Sequence, residues 1–161
     1  MQNIENRLSL FMSKNHELRK IGILTLMCLA IAITNGYFFD FLNDKFFHLS
    51  NTGNDINKMS RNEQFLIAVI IAPLIETLVA QFMLVETLRQ KITNQKLLIL
   101  LSSLFFAFMH YYSWLYIVVT FFGGLILNYY YLEIQKISKY SFFLTALLHS
   151  LYNLYGFLFV V

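Results

Sequence analysis

From Phe65 to Leu88 the chain carries only two charged side chains, Glu76 and Glu86, in an otherwise apolar run. Few folds are open to such a segment. A bilayer core about 30 Å thick is crossed by about 20 helical residues. No water is present there to satisfy bare backbone groups, so the segment closes its hydrogen bonds within itself as a helix. Comparable runs extend from Ile21 to about Phe41, from about Leu97 to Tyr111, from Trp114 to about Leu132, and from Tyr140 to Val161. The run from Leu97 to Tyr111 is short for a full crossing. The whole chain is 58% hydrophobic and 13% charged, against about 45–50% and about 25% for soluble domains. The expected class is therefore all-α: a polytopic integral membrane bundle of about five transmembrane helices.

One domain is expected over residues 21–161, preceded by a polar segment, 1–20. That segment lacks the short apolar core and small-residue cleavage site of a removable signal. Leu8, Leu10, Phe11 and Met12 suit either a short helix on the membrane surface or a frayed tail. The longest loop is 43–64, with Asp44, Lys45, Asn51, Gly53, Asn54, Asp55, Lys58 and Arg61. Lys and Arg otherwise gather before the first helix (Arg7, Lys14, Arg19, Lys20), after the second (Arg89, Lys91, Lys96) and after the fourth (Lys136, Lys139). Five crossings with a cytoplasmic N-terminus put all three sets inside, as the positive-inside rule asks. The expected location is the plasma membrane. The small net charge of +3 reads as topology, and no nucleic-acid partner is expected. A single cysteine, Cys28, excludes an intramolecular disulfide and a Cys-rich metal site.

Within these runs stand four polar residues: Glu76, His110, His149 and Asn153. A charge at the bilayer centre costs roughly 2.5–3.5 kcal/mol on insertion scales, so such groups pair with one another or do chemistry. Glu76 follows Pro73, which removes a backbone hydrogen bond and tends to kink a helix. Phe65–Leu88 holds no Lys or Arg to pair with Glu76, which suits a group that takes and gives a proton or one that faces a wet cavity. Thr77 and Gln81, four apart, share a helix face, whereas Glu76 and Gln81, five apart, do not. Glu86, beside Arg89, can snorkel to the interface. His110, near Tyr111 and Trp114, is either an interfacial anchor or part of a site. His149 and Asn153 are four apart and point the same way, either as packing glue between helices or as two directed donors. At 1.5 Å per residue, Glu76 and His149 both lie near the midplane. A kink or tilt brings His110 level with them.

Together these segments resemble the CAAX protease and bacteriocin-processing (CPBP) family of intramembrane proteases. Its Phe-x-x-x-His and His-x-x-x-Asn motifs stand as Phe106/His110 and His149/Asn153. Gly123-Gly124-Leu125 is similar to the small-residue helix between them. The family's Glu-Glu-x-x-x-Arg motif is matched by Ala72-Pro73-Leu74-Ile75-Glu76, but Thr77 stands for the second Glu and Gln81 for the Arg. The resemblance covers about residues 65–156.

The resemblance implies an intramembrane endopeptidase. Glu76 would be general base, and His110 would help to hold the attacking water. His149 and Asn153 would donate to the oxyanion, with Thr77, Gln81 and Phe106 in support. Its substrate would be a peptide or membrane-protein segment in the bilayer. No cofactor is expected, although Glu76, His110 and His149 are ordinary zinc ligands by type. Two other readings stay open. One is a catalytically weak relative that binds peptides or serves bacteriocin self-immunity. The other is a small proton-coupled transporter or channel subunit.

Overall fold

The computed structural model describes residues 2–49, 59–111 and 113–160, with side chains from residue 14 onward. Among them are five helical rods and no strand. α1, Gln2–Leu42, runs without a break into a π-helical turn, Asn43–Phe47. α2 is Arg61–Leu88, α3 Gln95–Phe108, α4 Trp114–Gln135 and α5 Ser141–Phe159. All but α3 are long and apolar enough to cross a bilayer, and α3 is a shorter apolar helix. The polytopic all-α bundle is thus observed.

Boundaries differ from the expected ones where polar residues proved good helix formers or caps. α1 runs from Gln2 straight into the first span, and its membrane-length portion extends from Lys14 to Phe47. The side chains of Leu8, Leu10, Phe11 and Met12, and the loop residues Asn51, Gly53, Asn54, Asp55 and Lys58, lie outside the described residues. α1 ends where His48 turns left-handed (φ 52°) and the Asn43 side chain binds both the amide and the carbonyl of Leu49. α2 starts four residues before Phe65, because Ser60 and Glu63 close a capping box. Asn94 and Ser113 cap α3 and α4 with their side-chain oxygens alone, Asn94 accepting the amides of Lys96 and Leu97 and Ser113 that of Tyr116.

α4 is the central helix, packed on α1, α3 and α5, and it carries the fully buried Tyr130, Tyr131 and Ile134. Its contact with α3 is close because Gly124 has no side chain: a Cβ there would lie 3.1 Å from the Ser103 Cα. α2 and α5 run antiparallel, with Phe65 against Phe157 at one end and Phe82 against Phe142 at the other. α1 lies on α4 and α5, joined by a Thr25–Tyr130 hydroxyl bond of 2.7 Å and a bond from Asn35 to the Val119 carbonyl. Its other face exposes Leu26, Met27, Phe38 and Phe41, which suits a helix seen by lipid.

At the end where α2 and α4 stop, Glu86 is not a free snorkelling group. It accepts from the Tyr131 hydroxyl at 3.0 Å, from Arg89 and from Gln135. Nearby, Gln95 donates to Glu133, so this end is fastened by polar contacts between helices.

Candidate active site

Pro73 organises the site through what it lacks. α2 is π-helical over Leu66–Ile71, α-helical over Ala72–Glu76, and π-helical again over Thr77–Met83. In the first wide turn the Ala72 amide donates to the Ile67 carbonyl, five residues back. The next bond in that pattern would run from residue 73 to Ala68, and proline has no amide hydrogen. The Ala68 carbonyl instead accepts from Nδ2 of Asn153 on α5, at 2.8 Å. A missing donor in one helix thus becomes a fixed cross-link to another. The expected kink takes the form of widened turns on either side of Glu76, a distortion common at functional sites.

The carboxylate meets both histidines. Glu76 Oε2 lies 3.6 Å from Nε2 of His110 and 3.6 Å from Nε2 of His149. The three side chains are 21%, 12% and 7% exposed, respectively, so the cluster is enclosed but reachable. His110 sits just past the end of α3, and its Nδ1 is 2.8 Å from the Phe106 carbonyl. A carbonyl only accepts, so in the neutral ring the proton is on Nδ1 and Nε2 presents a lone pair. Phe106 packs between the two imidazoles, its ring centroid 4.7 Å from that of His110 and 5.9 Å from that of His149.

These groups open onto a cavity of about 440 Å³. Glu76, Phe106, His110, His149 and Asn153 line it, with apolar walls from residues such as Ala32, Ile67, Val119 and Leu148. Asn35 and Tyr152 add polar groups that the sequence reading did not single out. Thr77 and Gln81 are not in the cavity wall. Both are fully buried. Gln81 lies within the π-helical stretch Thr77–Met83 that follows Glu76.

Among the described residues, no three His, Cys, Asp or Glu side chains are arranged to hold a metal ion.

A model of the type II CAAX prenyl endopeptidase Rce1-like family matches residues 62–155, a stretch that holds Pro73, Glu76, Phe106, His110, His149 and Asn153. No curated protein and no solved structure matches the chain. The matched stretch spans more than half of the sequence and contains the whole convergent cluster, so the chain belongs to the Rce1-like family of CAAX-type intramembrane proteases.

Proposed function

We propose that the protein is an intramembrane endopeptidase in which Glu76 activates a water molecule against a peptide carbonyl. One observation carries the reading: a single carboxylate oxygen lies 3.6 Å from Nε2 of two histidines, at the wall of a largely apolar cavity. That spacing exceeds the usual 2.7–3.2 Å hydrogen bond and suits groups converging on one small molecule between them.

The roles follow from donors and acceptors. Glu76 and the lone pair of His110 Nε2 both accept from the attacking water. As its oxygen bonds to the carbonyl carbon, Glu76 takes a water proton. The carbonyl oxygen gains negative charge, which His149 Nε2–H stabilises together with the Asn153 amide hydrogen not held by Ala68. Collapse breaks the C–N bond, and Glu76 returns its proton to the leaving amine. A positioned base contributes about 10²–10⁴-fold, and each oxyanion donor about 2.7–4 kcal/mol. The substrate is a peptide segment in or near the bilayer, and the N-terminus faces the cytoplasm at the plasma membrane.

Glu76→Gln and His149→Ala, each reconstituted in liposomes with a cleavable membrane-peptide reporter, should lose product formation by at least about 100-fold. Turnover that survives in either variant rejects the mechanism. The neutral Thr77 and Gln81 favour a second reading, a relative that binds peptide without cutting it. Such a protein would retain peptide binding and its cellular phenotype as Glu76→Gln and show no turnover as wild type.

A further inference from the structure

A peptide that is to be cut inside a bilayer must first leave its helix, because a helix closes its main-chain hydrogen bonds within itself. Each amide and carbonyl freed in this way is costly in hydrocarbon unless the protein supplies a partner. Glu76, His110, His149 and Asn153 serve only the attacking water, the scissile carbonyl and the leaving amine in the mechanism above. The neighbouring main-chain groups of the substrate need partners of their own. The cavity wall carries two polar groups that the mechanism leaves unused, Asn35 on α1 and Tyr152 on α5.

Asn35 is anchored by one half of its amide. Nδ2 donates to the Val119 carbonyl on α4 at 3.3 Å, which leaves Oδ1 over as an acceptor. The Tyr152 hydroxyl rests against the next residue of α1: a Cβ on Gly36 would lie 3.0 Å from the Tyr152 oxygen. Neither Asn35 Oδ1 nor the Tyr152 hydroxyl has a hydrogen-bond partner among the described residues. Tyrosines elsewhere in the bundle are paired: Tyr37 with Tyr155, Tyr130 with Thr25, Tyr131 with Glu86. Nor are these two atoms sealed in, as the orphan polar atoms of Thr77 and Gln81 are. An acceptor and a donor thus stand at one level of the wall, open to about 440 Å³ of space. Tyr152 follows His149 by three residues, about 4.5 Å further along α5. An extended chain advances about 3.3 Å per residue. A peptide with its scissile carbonyl at His149, running along α5, therefore brings its next one or two residues to this pair.

We propose that Asn35 and Tyr152 form a main-chain-binding subsite for the substrate, in which Asn35 Oδ1 accepts a peptide N–H and the Tyr152 hydroxyl donates to a peptide C=O. In an extended chain the N–H and C=O of one residue point to the same side, as when paired antiparallel strands exchange both bonds. An acceptor and a donor on one wall therefore suit a single residue of the substrate. Neither group carries a charge, so recognition here is of the extended backbone and is indifferent to an acidic or basic side chain. Asn35 lies outside residues 62–155, the stretch that the family model matches. α1, packed on α4 and α5, supplies its half of the subsite from a part of the chain that the match does not cover. The subsite rests on the reading above only in that the cavity takes a peptide; it does not depend on turnover.

The test is binding of the membrane-peptide reporter, fluorescently labelled, to the Glu76→Gln variant in nanodiscs, where it is held without being cut. In that parent, Tyr152→Phe, which removes one oxygen and keeps the ring, and Asn35→Leu should each weaken binding about 3–10-fold. Reporters with one main-chain amide at a time replaced by an ester lack a single N–H each. At one position the ester should weaken binding to the parent and to Tyr152→Phe, and should make no difference to Asn35→Leu. Gly36→Ala, which presses on the hydroxyl, should weaken binding in the parent and not in Tyr152→Phe. In the active protein KM should rise by the same factor with kcat within about twofold. If Tyr152→Phe binds as tightly as its parent the proposal is overturned, and an ester penalty that persists in Asn35→Leu overturns it too. Should Asn35→Leu lower the thermal midpoint through loss of its Val119 bond, Tyr152→Phe and Gly36→Ala decide alone. A reporter that binds as expected but is never cut by wild type would sink the mechanism and leave the subsite standing; normal cleavage with unchanged binding in both variants would do the reverse.

Discussion

Gly124→Ala tests whether the helices that carry the candidate site are set by close approach. A Cβ on Gly124 would sit 3.1 Å from the Ser103 Cα, 3.2 Å from the Ser103 Cβ and 3.2 Å from the Phe106 Cδ1. Two of those atoms belong to the body of α3, so the neighbour cannot simply rotate away. Overpacking of this kind costs about 1–3 kcal/mol, while replacing a mid-helix Gly by Ala returns about 0.5–1 kcal/mol. The adjacent Gly123 supplies the control: a Cβ there meets nothing within 4 Å, so Gly123→Ala should be stabilising by the propensity gain alone. Unfolding of both variants in the same detergent therefore separates the clash, about 1–3 kcal/mol, from propensity. Gly124→Ala should also slow cleavage more than its lost stability explains, because Phe106, the third atom's owner, touches both imidazoles. Equal stability of the two variants would refute the claim that α3 and α4 meet backbone to backbone at this level.

Asn153→Ala should cost about 1–3 kcal/mol by stranding the Ala68 carbonyl; in a Pro73→Ala background, where residue 73 regains an amide, the same change should cost at least about 1 kcal/mol less, and strict additivity in this cycle would refute the link. Gln81→Arg alone should destabilise by about 3–5 kcal/mol as an unpaired buried charge, and adding Thr77→Glu should recover part of that loss; a double variant no more stable than the single argues against their sharing one interior. Chelator treatment should leave cleavage of the reporter unchanged, and activity lost to chelator and restored by zinc would replace the metal-free mechanism.

What the sequence made legible is the cluster itself. Glu76, His110 and His149 stand out because ionisable groups are costly in hydrocarbon, and the structure brings all three onto one oxygen. The Asn153 position was legible by its spacing from His149, but its bond to Ala68 was not, because that bond depends on wide turns whose pattern no hydrophobic period encodes. The same turns made the relation of Gln81 to Glu76 unreadable: five residues mean opposite sides in an α-helix and successive turns in a π-helix. Ser102 on α3 and Thr145 on α5, both fully buried, escaped notice because small hydroxyls are tolerated in membrane helices, where they ordinarily bond their own backbone. The start of α1 was missed for a different reason. Polar residues such as Asn15, Glu17 and Arg19 mark the end of an apolar run without stopping a helix, so hydropathy reported where hydrocarbon would begin, not where the backbone bonds do.

Thr77 and Gln81 place no charge beside Glu76, and the groups around that carboxylate are held by other means. His110 is fixed by the Phe106 carbonyl, Asn153 by the Ala68 carbonyl, and Phe106 by the absence of a side chain at Gly124. Each is a main-chain feature, and none needs a charge. A buried Glu–Arg pair would bring a large desolvation penalty with it, and a neutral replacement of similar volume often costs nothing in stability. A neutral layer also leaves Glu76 as the one carboxylate beside two imidazoles, so a single proton has fewer places to go. The protease reading thus requires that main-chain positioning take the place of electrostatic positioning, and cleavage that survives in the wild type but falls in Gly124→Ala beyond its loss of stability would bear on that requirement.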